Sequence, residues 1–269
     1  MVVMFVAGLY NITDAIFVGL ATGEQGLAAC LVTFPMYCVM YGLAELVAMG
    51  GSILISQFRG QKNDTEVNRV FSQMVLLGIV VGVLIPVLLI PICPELMRFS
   101  GATEELVDDA VSYMSVILYT SLLPVLWFSF CAVIRNDDHP HLAMSMVCTG
   151  VVLNIFFDWL FLMKFHWGIP GAAWATVVSE VPTLILSMVY FASRWTKIRF
   201  HGRYLFPQKA LLWRIVKNGI PSFGSQSSVG VMLLFHNWQA LRYGQAAGLG
   251  TGGLAAYSVI CSTSSLASM

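Results

Sequence analysis

The chain has 269 residues, 58% hydrophobic and 10% charged, with 14 basic side chains balancing 14 acidic ones. Globular chains carry about 25% charged residues, and a soluble fold of this length has no means of hiding so much apolar surface. Disordered and collagen-like chains are excluded by the same composition, and a balanced charge gives no ground for a nucleic-acid partner.

A helix needs about 20 apolar residues to cross a bilayer core. In chain order, the runs that qualify are 1–20, 27–58, 67–92, 107–134, 142–163, 168–192, 211–244 and a last one from 254 onward. They are continuously apolar rather than alternating, so the expectation is an all-α integral membrane protein and not a barrel. Breakers fall between the runs: Gly23 to Gly26, Pro91 with Pro94, Pro140, and Gly168-Ile169-Pro170-Gly171. The first residues lack a basic segment and a small-residue cleavage site, so no signal peptide is expected. The six cysteines have no metal-ligand spacing and lie mostly in apolar runs, which argues against a disulfide framework.

Basic residues set the orientation. Eleven of them, from Arg59 and Arg135 to the crowded stretch Arg194–Lys217, fall in connections two–three, four–five and six–seven; only Arg98, Lys164 and Arg242 fall in the others. The crowded side is expected to be cytoplasmic, and with it the N-terminus. An internal repeat accompanies this pattern. Gly26-Leu27-Ala28-Ala29 recurs as Gly253-Leu254-Ala255-Ala256, and Val32 matches Val259 at the same offset. Each copy opens a helix entering from the outer side, which predicts six-helix halves in one orientation. On that reckoning the chain begins inside a first helix and ends inside an eighth, and is expected to be truncated at both ends.

Carboxylates inside apolar spans are costly and mark function by default, although each can also be protonated, reach an interface or pair structurally. Four qualify: Asp14, Glu45, Asp158 and Glu180. Asn154 and Asp158, four apart, face one side of a helix. Asp14, Asp158 and Thr176 each lie six residues, about 9 Å, from the outer end of their runs. Two carboxylates, an amide and a hydroxyl suit a small cation such as sodium, or a dyad sharing a proton; composition does not choose between these. Glu45 precedes the small residues Gly50-Gly51-Ser52, and Glu180 lies one turn after Thr176, so both are cavity candidates. His139-Pro140-His141, flanked by Asp137 and Asp138, is read as a solvated turn rather than a metal site. His236 is either a packed helix histidine or a cavity residue. The many methionines and aromatics are mostly core and lipid-facing. Neither a phosphate-binding loop nor a nucleophile motif is present, which argues against an ATP-driven pump and against an enzyme.

Several stretches resemble the MATE (multidrug and toxic compound extrusion) transporters: Tyr10-Asn11-Ile12-Thr13-Asp14, Gly50-Gly51-Ser52, Ile134-Arg135-Asn136-Asp137, Asn154 with Asp158, and Gly168 to Thr176. The resemblance covers the whole chain in order. It implies a MATE-type fold of two six-helix lobes, of which this chain holds the N-lobe (1–200) and the first two helices of the C-lobe (201–269). It implies a monomeric antiporter of the bacterial inner membrane that exports drugs or amphipathic organic cations in exchange for sodium ions or protons. It maps the ion site onto Asp14, Asn154, Asp158 and Thr176, adds Tyr10 one turn before Asp14, and implies no organic cofactor. Glu180 departs from the family's pattern, where a neutral amide is more usual. The nearest rival is a flippase for lipid-linked precursors; the scarcity of intramembrane Arg and Lys disfavours the cationic cavity it requires. An integral-membrane acyltransferase is disfavoured by the scattered histidines, and a non-functional truncated transporter is the remaining alternative.

Overall fold

The computed structural model describes the backbone of residues 2–248 and 250–267, and side chains over 12–248 and 250–261. Among these residues the chain is helical throughout, without strands. Helix α1 (Val2–Gly60) is broken at Gly23, with φ 68° and ψ −157°. Unbroken, its 59 residues would reach about 88 Å against a hydrocarbon core of about 30 Å. Gly23 adopts a backbone that side-chain-bearing residues resist, and the chain turns back there. A Cβ on Gly19 would meet Leu27 Cδ1 at 3.2 Å, although eight residues of straight helix span about 12 Å. The two arms, 2–22 and 24–60, answer to the first two predicted spans.

Helix α2 (Asp64–Leu89) starts on a cap: Asn63 accepts from the Glu66 backbone N–H at 3.2 Å, with Asp64 and Glu66 in the first turn. The short α3 (Cys93–Phe99) leads to α4 (Glu104–Tyr119) and α5 (Leu122–Asn136), which meet at 53°. A single span over 107–134 is therefore corrected to a bent pair. Pro124 has no N–H to offer the carbonyl of Thr120, which accepts from Leu123 N at 2.9 Å instead, and Ser121 Oγ donates to Gly82 O at 2.9 Å, tying the bend to α2. Helix α6 (Pro140–Asp158) passes directly into a π-helical turn (Trp159–Lys164). Helix α7 (Ile169–Ala192) begins after Gly168, at φ 64°, with Pro170 in its first turn. A linker over 193–208 holds one 3-10 turn (Gly202–Leu205) and leads to α8 (Lys209–Ala246) and α9 (Gly252–Ala267).

Among the described residues, four helical segments are long and apolar enough to cross a membrane, or five with the bent pair taken as one. The first contains most of both arms of α1. Helix α8 is not among them, which corrects the expected apolar span over 211–244. It has the length, but Ser225, Gln226, Ser227, Ser228, His236 and Asn237 dilute its apolarity. Bands of exposed apolar residues, such as Val83, Val87 and Leu88 on α2 and Ile185 and Val189 on α7, clothe the outside. Water would not tolerate such bands; lipid does.

Two apolar clusters form the interior. One gathers Leu31, Met97, Leu106, Met114 and Leu162, the other Leu54, Phe71, Met74, Val133 and Ile215. The repeated motif is visible in the first, where Ala28 and Ala29 share a core with Leu254 and Ala255. Helix α8 lies directly on the second arm of α1. A Cβ on Gly50 would fall 2.0 Å from Ile215 O, and one on Gly219 2.0 Å from Leu46 O. The helices touch through their backbones, a packing only small residues permit. Gly219→Ala is therefore expected to destabilise the chain by about 1–3 kcal/mol. Gly224→Ala, where a Cβ meets nothing within 4 Å, should be neutral or stabilising by up to about 1 kcal/mol. Thermal unfolding of both variants in detergent checks the contrast.

Candidate functional site

Helical spacing places Asn154 and Asp158 on one face of α6, and packing against α1 and α7 buries that face. Asn154 is 1% exposed and Asp158 fully buried. Both Asp158 oxygens, and both the oxygen and nitrogen of the Asn154 amide, are enclosed without a hydrogen-bond partner among the described residues. The first arm of α1 brings half-buried Asp14 to the same place: its Oδ1 is likewise enclosed and unpartnered, and it lies within electrostatic range of Asp158. Thr176, buried on α7, donates to Ala172 O at 3.3 Å and lines one cavity with Asn154. The four residues singled out in sequence thus converge.

Asp158 is also the last α-helical residue before the π turn, and its successor Trp159 shares its N–H between Ile155 O and Phe156 O. Such turns concentrate at functional sites. A π turn advances less per residue than an α-helix, so counting six residues back from Lys164 overstates the depth of Asp158.

Next to this cluster is a cavity of about 400 Å³, lined by Tyr37, Tyr41, Trp127, Phe128, Asn154, Thr176, Glu180 and Gln226 among others. Glu180 opens onto it and accepts from Tyr41 OH at 3.3 Å; Tyr41 OH accepts from Tyr37 OH at 2.6 Å. The two tyrosine rings stack at 4.2 Å, and Phe128 meets Tyr41 edge-on at 5.1 Å. Glu45 does not join them. It faces a separate cleft of about 610 Å³ with Ser52, Arg135 and Asn136, with Gln226 nearby. The side chain of Tyr10 lies outside the described residues. Tyr37, Tyr41 and Gln226 were missed in sequence; the i, i+4 pair of tyrosines was the available signal.

The turn after α5 differs from its expected solvated form. Asp137 is 6% exposed. It is paired with Arg59 Nη1 at 3.0 Å and accepts from Tyr190 OH at 2.7 Å, while His139 Nδ1 lies 3.0 Å from the same hydroxyl. Arg59 also pairs with Asp138 at 2.7 Å and donates to Asn136 O. These contacts tie the ends of α1, α5 and α7 together. His236 stacks on Tyr257 at 5.5 Å, joining α8 to α9. Among the described residues no three His, Cys, Asp or Glu side chains gather as for a transition metal. The enclosed donors are mainly hard oxygens, fit for a small alkali cation or a shared proton.

Comparison with known proteins decides the lineage. A family model described as MatE matches residues 1–160. The chain belongs to the MatE family. Among curated relatives of this MatE chain, the multidrug export protein MepA of Staphylococcus saprophyticus is 27% identical over 239 residues, covering 89% of this chain and 53% of its own length. The chain thus spans about half the length of the curated relatives it matches. Among solved structures, an inward-facing multidrug resistance MATE family transporter of the MOP superfamily superposes with a TM-score of 0.86 at 28% identity, covering 93% of this chain and 56% of its own. The MATE multidrug transporter DinF-BH gives 0.85 at 29% identity, covering 94% and 56%. The all-α, MATE-type membrane fold expected from sequence is therefore the observed one.

The convergence is checked by cross-linking. With the native cysteines replaced, a pair introduced by Asp14→Cys and Asp158→Cys should be bridged by a short thiol-reactive linker. A pair from Glu45→Cys and Asp158→Cys should not. The bridged fraction is read by mass spectrometry after proteolysis.

Proposed function

We propose that this chain serves a secondary active antiporter of the bacterial inner membrane, which exports drugs or amphipathic organic cations in exchange for sodium ions or protons. The observation that carries the reading is the pair of enclosed carboxylates, Asp14 and Asp158, beside an aromatic cavity with its own carboxylate. An intramembrane Asp costs about 2.5–3.5 kcal/mol at a span's centre. Two of them facing each other are retained where a cation or proton compensates. Asn154 and Thr176 would add an amide and a hydroxyl oxygen to that ion. The names of the family's multidrug relatives support export, and a carboxylate among aromatic rings suits a cationic substrate. In this reading residues 1–200 form the N-lobe and 201–269 begin the C-lobe, the protein acts as a monomer, and the N-terminus is cytoplasmic.

Transport then follows from differential affinity. The coupling ion must prefer one arrangement of the helices and the exported compound the other, since a ligand binding both equally shifts nothing. Neutralising Asp14 and Asp158 from outside draws the first arm of α1 towards α6, closing the cavity and expelling the substrate.

In a protein carrying both lobes, Asp14→Asn or Asp158→Asn is expected to abolish ion-driven efflux with little loss of folding, because Asn keeps the shape and loses the charge. Thr176→Val should be mild if the ion is a proton and damaging if it is sodium, which loses an oxygen. Efflux from proteoliposomes under an imposed sodium or proton gradient, with size-exclusion profiles as the folding control, measures both. Normal efflux by well-folded Asn variants under either gradient would sink the coupling site.

Orientation is tested separately. Single cysteines at Arg59, Arg135 and Arg194 should resist an impermeant thiol reagent in intact cells, while those at Glu104 and Lys164 react. The warrant is the crowding of eleven basic residues into the connections that hold Arg59, Arg135 and Arg194, against three in the others.

A further inference from the structure

The linker 193–208 has little helix of its own, so its backbone needs partners elsewhere. Helix α2 supplies them. Asn68 Oδ1 accepts from Arg199 N at 2.7 Å, and Ser72 Oγ from His201 N at 3.2 Å. Gln73, fully buried, donates to Phe206 O at 2.9 Å and to Tyr204 O, and accepts from Gln208 N at 3.0 Å. Ile198 and Thr196 turn inward at 3% and 5% exposure. With these pinned, the large aromatic side chains are left facing out: Trp195 at 70%, Phe200 at 49%, Phe206 at 81%, and Trp213 at the start of α8 at 64%.

Cations are interleaved with them. Arg194, Arg203, Lys209, Arg214 and Lys217 are all exposed, and none has an ion pair among the described residues. The sequence contains no carboxylate after Glu180. The acidic residues nearest in the fold are taken, Glu66 by Arg69 and Asp137 and Asp138 by Arg59. Asp64 shares a cleft with Lys197, which is left out of the set for that reason. Arg203 lies over the Tyr204 ring at 4.6 Å and Arg214 over Phe58 at 5.5 Å. Neither contact neutralises its charge.

A clamped, irregular segment that exposes tryptophans and unpaired cations side by side is matched to a surface negative on one side and apolar on the other. That is the headgroup region of an anionic bilayer, where amphipathic rings settle at the boundary and basic side chains meet phosphate. We propose that residues 194–217 form an anchor for acidic phospholipid, with the aromatics at the headgroup–acyl boundary and the five cations on lipid phosphates. The proposal uses the membrane-spanning fold and leaves both the coupling site and the orientation aside.

The test places the full chain in nanodiscs of phosphatidylcholine in which either phosphatidylcholine or phosphatidylglycerol carries brominated acyl chains at equal mole fraction. Both faces then hold both lipids, so a wrong topology does not affect the result. The emission of Trp195 and Trp213 is taken as the difference from a Trp195→Phe, Trp213→Phe variant. The brominated anionic lipid should quench that emission more strongly than the brominated zwitterionic one. An Arg203→Gln, Lys209→Gln, Arg214→Gln variant should lose the excess and keep the quenching common to both lipids. Should that variant fail to fold, raising the salt concentration on the wild-type chain should erase the same excess. Equal quenching by the two lipids in the wild type overturns the acidic-lipid assignment. Absence of quenching by either overturns the anchor itself and leaves the aromatics to water or to a second copy of the chain.

Discussion

A polar group between these helices has to be satisfied by the protein itself, since the bilayer core offers neither water nor counter-ion. Most of the chain obeys in a simple way. Serines and threonines inside the helices donate to carbonyls of the preceding turn, as Ser129 does to Val125 O at 2.8 Å and Ser187 to Thr183 O at 2.8 Å. Asp137, nearly as buried as Asp158, receives a guanidinium and a phenol. Asp158 and Asn154 receive nothing from the described residues. Single unpartnered atoms such as Trp127 Nε1 and Asn237 Oδ1 occur elsewhere, but here four gather on two neighbouring side chains, where helix α6 changes its winding. Enclosed acceptors left unpaired are what an exchangeable ligand requires, because a protein donor already in place would compete with it.

The two carboxylate sites accordingly do opposite work. Arg59, Asp137, Tyr190 and His139 fasten helix ends that are far apart in sequence, and removing Arg59 would leave the buried Asp137 without its counter-charge. The Asp14–Asp158 pair has no such counter-charge among the described residues. One end of the bundle is thus closed by its own chemistry, and the carboxylate pair is not.

What could be read from sequence follows the same division. Asp14, Asn154, Asp158 and Thr176 were legible because a charge or amide stands out against an apolar run and because i, i+4 spacing alone fixes a face. Tyr37 and Tyr41 were not, since an aromatic in such a run looks the same whether it lines a cavity or faces lipid; Tyr119, at 69% exposure, does the latter. The burial of Asp137 depends on Tyr190, 53 residues away, and no local pattern carries that. The bend at Thr120 was hidden because spanning helices often absorb a proline such as Pro124 without breaking. The π turn has no residue type that announces it.

Helix α8 shows how composition and position constrain each other. It is too polar to be surrounded by lipid, and some of its polar groups turn to the protein. Asn237, fully buried, donates to Leu31 O at 3.4 Å, and Gln226 lies between the aromatic cavity and Glu45. Its glycines, Gly219 and Gly230, rest on the backbone of α1 near Leu46 and Pro35. Its apolar residues, Val229, Val231, Met232 and Phe235, are 40–55% exposed. One face is therefore committed to α1 and the other to an apolar surrounding. A seam of backbone and small side chains lets the two helices approach more closely than large side chains would. The helix that carries Gln226 to the cavity is thus held against α1 by close backbone contact, while the Arg59 network joins the ends of α1, α5 and α7.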